Sequence, residues 1–124
     1  MKALLLTIFL VPLTLLVGCS TVTEAGYYWG NYSSTLYAYT KSPSDVTQLA
    51  HIETLQDIVD KSNEKGLRVP PGIFAELGYL SSKRNEVGLA IAYYDEEARL
   101  YPESKILLER LIASSNRESG NEDN

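Results

Sequence analysis

The sequence predicts an all-α fold of about five helices, built as helical hairpins behind an N-terminal leader. Two observations carry this. Apolar residues recur three and four positions apart through most of residues 32–113, the spacing of helices with one buried face. Clusters of Gly, Pro, Ser and Asn interrupt those stretches where helices must start or stop. At 124 residues the chain provides one small domain.

Residues 1–18 read as a signal peptide. Met1-Lys2 supplies a positive end, and Ala3 to Leu16 is an apolar run broken by Thr7, Pro12 and Thr14. A transmembrane anchor is the competing reading, but a run of about 14 residues is short of the roughly 20 a bilayer span needs. The run closes on Leu16-Val17-Gly18-Cys19, which resembles the lipobox of bacterial lipoproteins. That resemblance implies that Cys19 is lipidated, becomes the first residue of the mature chain, and is the means of membrane attachment. Ser20, where the class places Asp on proteins kept at the inner membrane, implies sorting to the outer membrane of a Gram-negative envelope, facing the periplasm. Cys19 is the sole cysteine, so no disulfide forms within one chain. Loss of residues 1–18 removes one base, Lys2. The mature chain then carries 16 acids and a net charge of about −6, which disfavours nucleic acid and anionic lipid headgroups, so the lipid rather than a basic patch is expected to hold it to the membrane.

Residues 19–26 are the lipidated cysteine and a polar tether, 27–113 the helical domain, and 114–124 a tail expected to be disordered because no apolar residue follows Ala113. The first helix is expected over Tyr32 to Thr40 from the stripe Tyr32, Leu36, Tyr39. In Ser42-Pro43-Ser44-Asp45 the sequence reads as a capping box with Pro at the first helical position. The helix that follows buries Leu49, Ile52, Leu55, Ile58 and Val59 and ends at Gly66. Leu67 to Gly72 is a stiff Pro-Pro connector. A hairpin then runs from Ile73 to Tyr101, turning at Ser81 to Asn85, with Gly78 permitting close approach. Its second helix carries one apolar stripe through Val87, Ala90, Ile91, Tyr94, Ala98 and Tyr101 and another through Leu89, Tyr93 and Leu100. A last helix with Ile106, Leu107, Leu108, Leu111 and Ile112 is expected to cover the second stripe.

Within Pro70–Ser104, Leu77-Gly78, Ala90, Tyr94 and Pro102 match the spacing of one tetratricopeptide repeat. Phe74, Ser81 and Glu97 depart from it. Residues 28–64 form a second hairpin with poor motif agreement. A longer resemblance runs through YYWGNYSSTLYAYTKSP, GLRVPPGIFAELGYL and AIAYYDEEARLYPES. It is to the small bacterial lipoproteins of domain of unknown function 4810. That family is typically encoded beside a lipoprotein similar to the curli-secretion pore component and beside another small lipoprotein. The resemblance implies partners among envelope lipoproteins, including a curli-pore-like component, and brings no catalytic residues.

Catalytic and metal readings find little support in the residues. His51 is the only histidine, is expected to be a partly buried structural residue, and has no ligand companions on its helix. Asp95-Glu96-Glu97 and Glu103 read as a solvated face. No cofactor motif is present. The binding candidates are rings: Tyr28, Trp29, Tyr32 and Tyr37, within a stretch where six of thirteen residues are aromatic. The sequence therefore favours a non-enzymatic, lipid-anchored periplasmic adaptor. The alternative is a lipoprotein that holds a glycan or peptide on its aromatic N-terminal end.

Overall fold

A computed structural model describes residues 26–120. The leader, Cys19 and the tether up to residue 25 lie outside the described residues, as do residues 121–124. The described chain is five α-helices: α1 Tyr32–Lys41, α2 Asp45–Glu64, α3 Ile73–Lys83, α4 Val87–Leu100 and α5 Lys105–Gly120, with a 3-10 turn at Pro102–Ser104 before the last. The all-α expectation holds.

The start of α2 differs from the expected register. Ser44, not Ser42, is the N-cap: its hydroxyl accepts from the Thr47 backbone N–H at 3.2 Å, while Thr47 Oγ1 accepts from the Ser44 N–H at 3.0 Å. Pro43 lies outside the helix as a result. The reciprocal pair satisfies two donors that a helix start otherwise leaves open. The other end of α2 closes as the sequence indicates. Gly66 takes φ +64°, its N–H donates to Asn63 O, and Leu67 N–H donates to Ser62 O, the paired bonds of a Schellman stop.

Helices α3 and α4 form the tightest pair. A Cβ placed on Gly78 would stand 2.5 Å from Tyr94 Cε1 and 3.0 Å from the Ala90 carbonyl, so only glycine lets the Tyr94 ring come this close to α3. The turn between them comes later than expected: α3 runs to Lys83, and Asn85 takes the left-handed conformation that asparagine tolerates.

Leu55, Ile58, Val69, Ile73, Phe74, Leu77 and Leu80 make one core cluster between α2 and α3, joined by Tyr28, Tyr32 and Tyr39. Ala90, Tyr94 and Leu108 make a second, with Leu111 and Ile112 of α5 packed on it. The last helix thus covers the first stripe of α4, at Ala90, Tyr94 and Ala98, and not the second as expected; Tyr93 and Leu100 of the second stripe pack against the α2–α3 core instead. Helix α5 does not stop at Ala113 but continues to Gly120, so the tail expected to be disordered from residue 114 is helical for its first seven residues. Ser114 and Ser115 hydroxyls donate to Leu111 O, and Arg117 Nε donates to Ala113 O, so local polar bonds sustain a turn that has no apolar residue to bury.

The short connections turn the chain back on itself, which sorts the loops into two ends. The entry end holds residues 26–31, the α2–α3 connector and the α4–α5 turn. The far end holds the α1–α2 and α3–α4 turns. Contacts fix the entry end: Tyr101 donates to Val69 O at 2.6 Å, the Tyr27 hydroxyl lies 3.5 Å from that of Tyr101, and Tyr28 donates to Asp57 at 3.3 Å.

Candidate surfaces and a buried polar network

The four candidate rings divide between fold and surface. Tyr32 is half-buried and donates to Glu76 Oε2 at 2.9 Å. Burial first, then the hydrogen bond to Glu76 and the negative charge of that carboxylate, push its phenol up to about 12. Tyr28 is half-buried as well, packed on the α2–α3 core, with Lys65 Nζ 5.7 Å from its ring centre. Both therefore hold the first helix in place. Trp29 remains 42% exposed and Tyr37 63% exposed. Trp29 stands edge-on between Tyr27, at 6.4 Å, and Tyr32, at 5.5 Å, while Lys41 lies over the Tyr37 ring.

Below Tyr32 lies a polar network centred on His51. His51 is fully buried, not partly as expected. Its Nε2 lies 3.0 Å from Glu76 Oε1 and its Nδ1 2.9 Å from Thr35 Oγ1. The Glu76 carboxylate accepts from Nε2–H, so in the neutral ring Nδ1 accepts from the Thr35 hydroxyl. The Tyr39 ring stacks on the imidazole at 6.1 Å. Three helices are joined through this one side chain. Among the described residues no group of three or more His, Cys, Asp or Glu is placed to hold a metal ion.

Glu97 overturns the expectation of a solvated acidic face. Asp95 is exposed and Glu96 pairs with Arg99, but Glu97 is buried. Its Oε1 accepts from Gly72 N–H at 2.7 Å and its Oε2 from Ala75 N–H at 3.4 Å. A carboxylate on α4 thus caps the N-terminus of α3, where the open donors and the helix dipole favour negative charge. The departure of Glu97 from the tetratricopeptide pattern was the available signal. Glu76 and Thr35 had none, because their partners lie on other helices.

The far end carries a connected set of shallow clefts. One, lined by Tyr39, Pro43, Ser44, Asp45 and Gln48, shares Asp45 and Gln48 with a second that reaches Leu49 and Arg84. Arg84 also rims a third, of about 240 Å³, between Ile52 and Gln56 on α2, Leu77 and Ser81 on α3, and Leu89 and Tyr93 on α4. Leu49 and Leu89 belong to the stripes expected to be buried; both are exposed, as is Val46 beside them. Arg84 Nη2 pairs with Glu86 Oε1 at 3.2 Å across the opening. Leu, Ile and Tyr side chains alternate here with Ser, Gln, Asp and one ion pair, a mixed lining of the kind found in contacts between proteins.

No helix among the described residues is long and apolar enough to cross a membrane. The model of one family, described as domain of unknown function (DUF4810), matches residues 27–111, which is more than half of the chain, and the chain belongs to that family. No curated protein and no solved structure matches it.

Proposed function

We propose that this member of the DUF4810 family is a lipid-anchored periplasmic adaptor of the outer membrane that works through protein contacts. Lipid on Cys19 holds it to the membrane, and its partners are other envelope lipoproteins, a curli-pore-like component among them. The observation that carries the reading is the run of clefts at the far end, from Tyr39 through Leu49 and Arg84 to Leu89 and Tyr93. Exposed Val46, Leu49 and Leu89 flank it and give a partner apolar area to cover. Tyr37, near the same end of α1, adds a ring with few rotors to the surface. The hydroxyls of Tyr28 and Tyr32 already have partners within the fold, which leaves the aromatic N-terminal end with less to offer a glycan or peptide than its composition promises.

Photo-crosslinking side chains placed at Val46 and at Leu49 test this in intact cells, with Asp60 as the control position. The expected result is an adduct with another envelope lipoprotein from the first two positions and not from the third. Absence of any adduct at Val46 and Leu49 would refute the adaptor reading. Metabolic labelling with a palmitate analogue tests the anchor separately: label is expected on the wild-type chain and not on Cys19→Ser, and an unlabelled wild type would refute it.

A further inference from the structure

The entry end has a composition of its own. Tyr27 is 39% and Trp29 42% exposed, and both lie where the chain arrives from Cys19. Lys65 lies over the Tyr28 ring and Arg68 over the Tyr101 ring, at 4.1 Å, so two exposed cations are seated on aromatic faces of the same end. Across the end, after the α4–α5 turn, Lys105 is exposed, followed by Ile106 and Leu107, 68% and 57% exposed. Acids here include Glu64, paired with Lys61, Asp57, which accepts from Tyr28, and exposed Glu103. Rings with polar tips, aliphatic side chains and long basic side chains together fit the boundary between lipid headgroups and acyl chains.

The tether places this end near a bilayer. Eight residue steps separate Cys19 from Tyr27, which span roughly 28 Å when fully extended and about 16 Å as a flexible coil. The Tyr27–Tyr101 contact and the packing of Tyr28 fix the point of entry to the folded domain. The far-end clefts have no such constraint.

We propose that the entry end is a membrane-docking surface: Tyr27, Trp29, Ile106 and Leu107 enter the interfacial layer of a phospholipid bilayer while Lys65, Arg68 and Lys105 face its phosphates. The domain then stands on the membrane with its clefts directed away from it. This rests on the reading of Cys19 as the lipid-bearing residue. Each basic residue near an anionic surface is worth about fivefold in binding, so the contact is too weak to anchor the chain alone but strong enough to orient a domain already tethered.

Trp29 is the only tryptophan in the chain, so its fluorescence reports this contact without labelling. The membrane-extracted full chain is reconstituted into phosphatidylethanolamine–phosphatidylglycerol vesicles, and its intact mass shows whether Cys19 is acylated. A bare Cys19 overturns the anchor reading alone. In that case the same chain is coupled through this single thiol to a maleimide headgroup lipid, and docking is tested as before. Docking predicts a blue shift of Trp29 emission and quenching by roughly half with brominated-chain lipid. It also predicts that Lys65→Gln with Arg68→Gln relieves the quenching, with far-ultraviolet circular dichroism confirming the fold. A probe moved to the far end, in Trp29→Phe with Val46→Trp, is expected to stay unquenched. Docking is overturned by unquenched, solvent-like Trp29 emission in a chain of either anchorage, or by equal quenching at position 46. If Trp29 becomes shielded only when another envelope protein is added, the surface is a protein interface instead.

Discussion

At the scale of single residues, Glu76 decides how the first hairpin joins the second. It accepts from Tyr32 on α1 and from buried His51 on α2 while itself belonging to α3. Glu76→Ala leaves the Nε2–H of fully buried His51 without its acceptor, and the expected loss is about 1–3 kcal/mol of unfolding free energy. Urea unfolding of the two proteins at neutral pH measures it; a loss below about 0.5 kcal/mol, the ordinary level of a surface change, would show that the network is not a support. Tyr32 adds a pH dependence whose sign follows from its raised phenol. The folded state holds this proton to about pH 12, whereas an unfolded tyrosine releases it near 10. The contribution is therefore fully present below about pH 10 and is lost as pH rises through the folded value. Burial, and secondarily the contact with Tyr27, push Tyr101 upward too, so both phenols act in the same direction. The urea midpoint is expected to fall from pH 10 to 11.5, and less steeply in Tyr32→Phe.

At the scale of elements, the α3–α4 hairpin depends on one missing side chain. Gly78→Ala would bring a methyl group to within 2.5 Å of Tyr94 and 3.0 Å of the Ala90 carbonyl, a backbone atom that cannot rotate away. Alanine gains about 1 kcal/mol in helix propensity, and the displaced pair loses about 1–3 kcal/mol to overpacking. The variant is expected to melt below the wild type, while Tyr94→Leu combined with Gly78→Ala recovers part of the loss. This close approach was legible in the sequence because a Leu-Gly pair at fixed distance from an Ala and an aromatic is a local pattern. The Schellman stop at Gly66 was legible for the same reason. What stayed hidden were bonds between helices: the capping of α3 by Glu97 and the meeting of Thr35, His51 and Glu76 join residues far apart in sequence. A pattern also states which face of a helix is apolar, not how far its neighbours extend. Leu49 and Leu89 continue their stripes faithfully, yet both are exposed, because they line the open clefts beside the α1–α2 and α3–α4 turns. Tyr28 and Tyr32 show the converse, since composition marked them as surface candidates and packing placed them at the core.

At the scale of the whole molecule, the reversal of the chain at every connection puts its two classes of exposed apolar residue at opposite ends. If one end docks on lipid and the other holds a partner, substitutions at the two ends must separate the functions while leaving the fold alone. Val46→Asp with Leu49→Asp changes exposed positions outside the buried clusters, so stability is expected to stay within about 0.5 kcal/mol per site. The pair is expected to abolish capture of the envelope partner and to leave Trp29 quenching by bilayer lipid unchanged. Lys65→Gln with Arg68→Gln is expected to do the reverse in quenching while the partner is still captured when both proteins are free in detergent. In the membrane the second pair should also weaken capture, because a domain that no longer stands upright presents its clefts in random directions and pays orientational entropy on meeting a partner. A partner lost equally with both pairs in detergent would mean that the two ends form one surface, and the orientation argument would fail.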